Sequence, residues 1–80
     1  MTRTVIYNPH NAAALERAID YFGTAAELAK QLGIKSQSIH QWRTGRARVT
    51  AERAIDIERV TGGVVKREHL RPDLYRESAA

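Results

Sequence analysis

Leu15, Ala18, Ile19 and Phe22 recur at intervals of three and four with polar residues between them, the spacing that draws one apolar stripe along an α-helix. Asn8-Pro9 stands ahead of the stripe. Asparagine is a favoured helix cap, and proline fits the first helical position because its missing N–H had no partner there. Gly23 closes the pattern. A shorter stripe follows in Leu28, Ala29 and Leu32, introduced by "TAAE" from Thr24 to Glu27 and stopped by Gly33. That tetrapeptide has the form of a capping box, in which the threonine oxygen accepts a backbone N–H and the glutamate reaches back to the cap. Ser36 reads as the cap of a third helix, from Gln37 to about Arg43, which ends near Thr44-Gly45. Thr50 caps a fourth, from Ala51 to about Val60, closed by Gly62-Gly63, and one further turn is expected before Pro72. The pattern predicts an all-α protein, a small bundle of short helices with very short connections.

The organisation expected is an N-terminal arm over residues 1–8, one helical domain over residues 9–71 and a loose tail over residues 72–80. Met1 to Tyr7 is partly apolar but has no turn partner, and a lone strand is marginal. The arm is therefore expected to be mobile, with pairing to another subunit or a contact from Arg3 to a polyanionic partner as the alternative. A chain of 80 residues makes one domain, and such chains bury only about 60% of their unfolded surface. With no cysteine, disulfides and thiolate metal sites are excluded, which agrees with a reducing compartment. No apolar stretch approaches the ~20 residues of a membrane span. The expectation is a cytoplasmic protein that associates with no membrane and needs no cofactor.

The second and third helices carry the most specific arrangement. Ala29, Gly33, Ile39 and Trp42 follow one another with three, five and two residues between. A small residue lets two helices cross closely, a glycine permits the positive dihedral of a sharp turn, and Ile39 and Trp42 pin the third helix to the rest. Two helices joined in this way form a helix-turn-helix. At 100° per residue, the face opposite Ile39 and Trp42 holds Gln37, His40, Gln41 and Thr44, with Ser38 and Arg43 on its flanks. Glutamine can pair bidentately with adenine in the major groove, and serine is less selective.

Charge sharpens that reading. The net charge is only +4, yet no Asp or Glu lies between Glu27 and Glu52, where Lys30, Lys35, Arg43, Arg46 and Arg48 all fall. Such local asymmetry points to a polyanionic partner. Arg43, Arg46 and Arg48, with Lys35, suit phosphates, which hold register without reading sequence. The start of the second helix at Thr24 can present free backbone N–H groups to another.

The stretch "YFGTAAELAKQLGIKSQSIHQW" resembles the helix-turn-helix of the Cro and repressor superfamily of temperate phages. "RVTAERAIDIERVTGG" followed by "LRPDLY" resembles the all-helical Cro branch, whose members are known as YdaS-like antitoxins. The likeness runs roughly from Ile19 to Tyr75. It implies a lambda-repressor-like fold of about five helices and a phage or prophage regulator that represses transcription by binding operator DNA as a dimer. By position, Ser36, Gln37, Ser38, His40 and Gln41 would face the bases. One departure is Ala25, where many relatives carry a phosphate-binding glutamine; Thr24 would substitute.

The fourth helix leaves a question open. Ala51, Ala54 and Ile55 make one apolar stripe, while Ile57 and Val60 point elsewhere. Either the segment holding Val64, Val65 and Leu70 folds back over the second stripe, or Ile57, Val60, Val64 and Val65 form a two-fold dimer contact, weak alone and completed on DNA. Enzymatic chemistry is not expected: His10, His40 and His69 are scattered, and no acid near Ser36, Ser38 and His40 would orient a catalytic histidine. The alternative to a repressor is an antitoxin or protein-interaction regulator with a toxin partner, whose DNA binding is only autoregulatory.

Overall fold

A computed structural model describes residues 9–75, with side chains from residue 12 onward. The expected N-terminal arm and the final residues 76–80 lie outside the described residues. Among the described residues the chain is all-helical, with α1 (Pro9–Phe22), α2 (Ala25–Leu32), α3 (Ser36–Thr44), α4 (Ala51–Val60) and α5 (Arg67–Leu70).

Local chemistry accounts for most of these boundaries. Pro9 occupies the first position of α1. The Thr24 hydroxyl accepts the Glu27 N–H at 3.1 Å, and the Thr50 hydroxyl accepts the Arg53 N–H at 3.2 Å. Each satisfies one of the donors that every helix start leaves orphaned. Only the threonine half of the expected capping box forms: among the described residues Glu27 makes no return bond to the Thr24 N–H. Gly33 takes φ 71° and ψ 31°. In that left-handed conformation its N–H and that of Ile34 both reach the Ala29 carbonyl, Ile34 at 3.0 Å.

One cap differs from expectation. Ser36 is the first residue inside α3, and Lys35 holds the cap position without a side-chain bond. The first turn closes instead through backbone, with the Ser38 N–H on the Lys35 carbonyl at 3.0 Å. Ser36 is thereby released from capping duty.

The stripes predicted on α1 and α2 converge. Ala14, Leu15, Ala18 and Ile19 are buried together with Leu28, Ala29, Leu32 and Ile39. Phe22, Ile34 and Trp42 pack against that core while remaining partly exposed. α2 lies against both α1 and α3, and α5 against α1 and α4.

The C-terminal half corrects two expectations. Ile57 and Val65, dimer contacts in one of the two alternatives, are completely buried within the chain, as is Leu70. The segment after α4 folds back over its second stripe and leaves neither residue for a partner. Val60 is half-buried against the same core, and only Val64, 53% exposed, stands clear. The reversal is fixed by Thr61, also completely buried. Its hydroxyl donates to the Ile57 carbonyl at 2.8 Å and accepts the Val65 N–H at 3.2 Å.

The second correction concerns residues 72–75, expected as the start of a loose tail. Arg71 donates to the Val49 carbonyl at 2.8 Å and grips Asp73 through two nitrogens at 2.9 and 2.6 Å. Tyr75 packs against the core, and its hydroxyl donates to the Ala51 carbonyl at 3.3 Å. Arg67 lies 5.6 Å from the Tyr75 ring centroid and pairs with Glu58 at 2.6 Å. The helical unit therefore extends to Tyr75.

Candidate nucleic-acid interface

α3 is held by one side only. Ile39 is completely buried and Trp42 rests half-buried on the core, so the opposite side of the helix is free. There Ser36, Gln37 and His40 are exposed, and Ser38 and Gln41 are half-buried. Gln37 and Gln41 stand four residues apart, one turn along the same face. Among the described residues, the α3 side chains that hydrogen-bond to protein are Arg43 and Thr44. The five residues read as base contacts thus keep their donors and acceptors unspent. This face carries no acid, and α3 has none in its first turn.

The helix ends cleanly enough to present the residues beyond it. Gly45 adopts φ 82°, which turns the chain so that the Arg46 and Ala47 N–H groups both meet the Gln41 carbonyl, at 2.9 and 3.2 Å. Arg46 follows immediately and is exposed. Thr24, at the start of α2, uses an oxygen lone pair for its cap and retains its own hydrogen for donation.

The cations read as phosphate contacts fall into two classes. Lys35 and Arg46 are exposed and have no ion-pair partner among the described residues. Arg43 and Arg48 have acquired acids from distant parts of the chain. Arg43 makes a bidentate pair with Glu16 of α1, through Nε at 2.8 Å and Nη2 at 3.0 Å. Arg48 lies 3.9 Å from Asp73, but Asp73 is already gripped by Arg71, whose guanidinium holds its carboxyl at a pKa of about 2. The acid-free window of the sequence is therefore not acid-free in space. Neither Glu16 nor Asp73 has a local sequence signal tying it to this surface, since each pairing spans 25 residues or more.

The family model described as "Bacterial toxin YdaS" matches residues 15–79. The chain belongs to the YdaS family. That description reads toxin, where the sequence resemblance implies antitoxin. A YdaS relative from Escherichia coli strain K12, named as a candidate transcriptional regulator, is 38% identical over 61 residues, 76% of this chain. The match spans 62% of that relative's own length. Among solved structures, the Cro protein from the candidate prophage element Xfaso 1 of Xylella fastidiosa strain Ann-1 superposes with a TM-score of 0.75. It is 47% identical, and the match covers 80% of this chain and 97% of that one. The all-helical Cro architecture is thus shared by this YdaS-family chain. Among its described residues, no helix is long and apolar enough to cross a membrane.

Proposed function

We propose that this chain is a sequence-specific DNA-binding transcriptional repressor of prophage Cro type, acting in the bacterial cytoplasm. It binds operator DNA through the major groove as a dimer. The observation that carries the reading is the free face of α3, where Gln37, Gln41, Ser36, Ser38 and His40 keep their hydrogen-bonding groups unspent beside Lys35 and Arg46, neither of them ion-paired among the described residues. A helix seated in the major groove needs such a face: groups that match base edges, no carboxylates toward the phosphates, and cations at the rim. The similarity to a Cro protein and to a named regulator supports the same reading.

Two recognition helices on a dimer would enter successive major grooves about 34 Å apart on a pseudo-palindrome. Burial of Ile57 and Val65 moves the candidate contact to Val64 and the exposed edge of Val60. Sedimentation of wild type and Val64→Asp, with and without DNA, tests that contact; an identical assembly state in both proteins rejects it.

Fluorescence anisotropy with a duplex from upstream of the gene and a scrambled duplex tests the main reading. Preference for the upstream duplex by about 10³-fold or more is expected of a specific regulator. Equal, salt-sensitive binding to both would reject it.

The second reading is an antitoxin or protein-interaction regulator whose DNA binding is autoregulatory. It draws on the family description as a toxin and on the exposed apolar side chains of Val64 and Leu74. Co-purification with the product of the adjacent gene favours it; no complex removes it.

A further inference from the structure

Among the cations near the reading face, Arg43 differs in how it is held. Its Nε and Nη2 meet the two carboxylate oxygens of Glu16 at 2.8 and 3.0 Å, a fork-on-fork pair joining α3 to α1. Such bidentate pairs fix direction as well as distance. At 100° per residue, Arg43 sits on the flank of α3 near Ile39, not among Gln37, His40 and Gln41. Arg48 makes the contrast. Its acid lies 3.9 Å away and is already satisfied by Arg71 at 2.6 Å, so Arg48 can leave at little cost. If Arg43 left Glu16 for a phosphate, a bare carboxylate would remain beside a polyanion, and that repulsion opposes the exchange.

We propose that Glu16 is a specificity-determining positioning residue, which keeps Arg43 off the DNA backbone and braces the C-terminal end of α3 against α1. Phosphate charge is then met by Lys35, Arg46 and Arg48, and sequence-independent attraction stays low relative to base reading. The inference rests on the DNA-binding reading above. It removes Arg43 from the phosphate contacts expected from sequence.

The test measures binding to the upstream and scrambled duplexes across a salt series, for wild type, Glu16→Gln, Arg43→Lys and the Glu16→Gln/Arg43→Gln double variant. The pair is solvent-exposed, so each variant is expected to fold, with helical content checked by circular dichroism. Each phosphate neutralised steepens the slope of log K against log salt by about 0.9. Glu16→Gln frees Arg43 and should steepen the slope by about that amount. It should also raise scrambled-duplex affinity roughly five-fold near 0.15 M salt and lower the preference for the upstream duplex. Arg43→Lys keeps the charge but loses the fork, and should steepen the slope in the same direction. The double variant should return to the wild-type slope. An unchanged slope in Glu16→Gln, with the double variant shallower by about 0.9, would mean that Arg43 already contacts phosphate, and overturns the inference while leaving DNA binding intact. A wild type that binds neither duplex overturns both.

Discussion

The two halves of this bundle end their helices alike, on a left-handed glycine, and differ in what holds the chain after the turn. α2 and α3 each stop at a glycine in the left-handed region, Gly33 at φ 71° and Gly45 at φ 82°. α4 turns on Gly62 in the same way, at φ 64°, with the Gly63 N–H on the Glu58 carbonyl at 2.9 Å, but it adds a second device: Thr61, completely buried, holds the returning chain through its hydroxyl. The first device is local: a glycine and a few backbone bonds turn the chain, and α3 emerges with one face free. The second is tertiary, since it works only if Val65 and Leu70 arrive to be buried with Ile57. The half that offers a binding surface is set by local rules, and the half that closes the core by long-range ones. This division suits so small a domain, because the free face of α3 can vary without disturbing that closure.

The largest effect should come from breaking the closure. Ile57→Asp puts a carboxylate at a position with no solvent access and no partner. A buried, unpaired charge of this kind is among the most damaging substitutions, about 4 kcal/mol or more. That approaches the whole stability of a small domain, so thermal melting should show loss of cooperative unfolding. Val64→Asp, four residues beyond the α4 end and 53% exposed, should melt within about 0.5 kcal/mol of wild type. Equal melting of Ile57→Asp and wild type would contradict the burial of this helix face.

The two chain reversals can then be weighed against each other. Thr61→Val keeps the shape but leaves the buried Val65 N–H without its acceptor, at a cost of about 1–3 kcal/mol. Gly33→Ala meets no atom within 4 Å, so its cost is conformational alone, about 1–2 kcal/mol for a side chain forced to positive φ. Urea unfolding measures both. Gly33→Ala should also weaken DNA binding, because the turn sets how α3 projects from α2, whereas the folded fraction of Thr61→Val should bind as wild type does.

Legibility in the sequence follows the same division. Thr24, Thr50, Gly33 and the Leu28–Ala29–Leu32 stripe are legible because caps, left-handed turns and apolar periodicity are decided within a few residues. Ser36 reads one position out, because serine before a helix is commonly a cap and nothing in the string shows that backbone alone would close that turn. An outward place for Ile57 and Val65 is one of two options in the string; periodicity separates two apolar stripes on α4 but cannot say which is covered by α5. Glu16 and Asp73 are invisible as neighbours of Arg43 and Arg48, since charge patterning along a chain carries no information about acids returned by the fold. The helical domain also runs on to Tyr75, past the boundary expected at residue 71, because a stop at Pro72 says nothing of the hydrogen bonds made by Arg71 and Tyr75.

The free face of α3 offers a prediction confined to the first half. Gln37→Ala or Gln41→Ala removes a side chain with no protein partner among the described residues, so melting should be unchanged. Binding should fall by about 1–3 kcal/mol at particular base pairs and much less at others. Arg46→Ala should instead weaken all sequences alike and flatten the salt slope by about 0.9. A uniform loss from either glutamine variant would remove it from base reading.

The smallest effect lies where the halves meet. Arg71 joins the Val49 carbonyl, in the connection after α3, to Asp73 beyond α5. The hydrogen bonds from Arg71 are the main cause of the fall in the Asp73 pKa, from 3.8 to about 2, with Arg48 contributing less. A carboxylate whose pKa falls on folding stabilises the folded state in full while it is ionised in both states, and progressively less as the unfolded chain takes up its proton. Its contribution is therefore complete above pH ~4–5 and disappears as pH drops through 3.8 toward 2. Asp73 is 41% exposed, so solvent screening holds the effect to about 1 kcal/mol or less. Asp73→Asn should accordingly be slightly less stable than wild type from pH 5 to 7, and the difference should close between pH 4 and pH 2. A gap that persists at pH 2 would mean that the amide disturbs the joint by its shape, and that the charge of Asp73 does little to hold the two halves together.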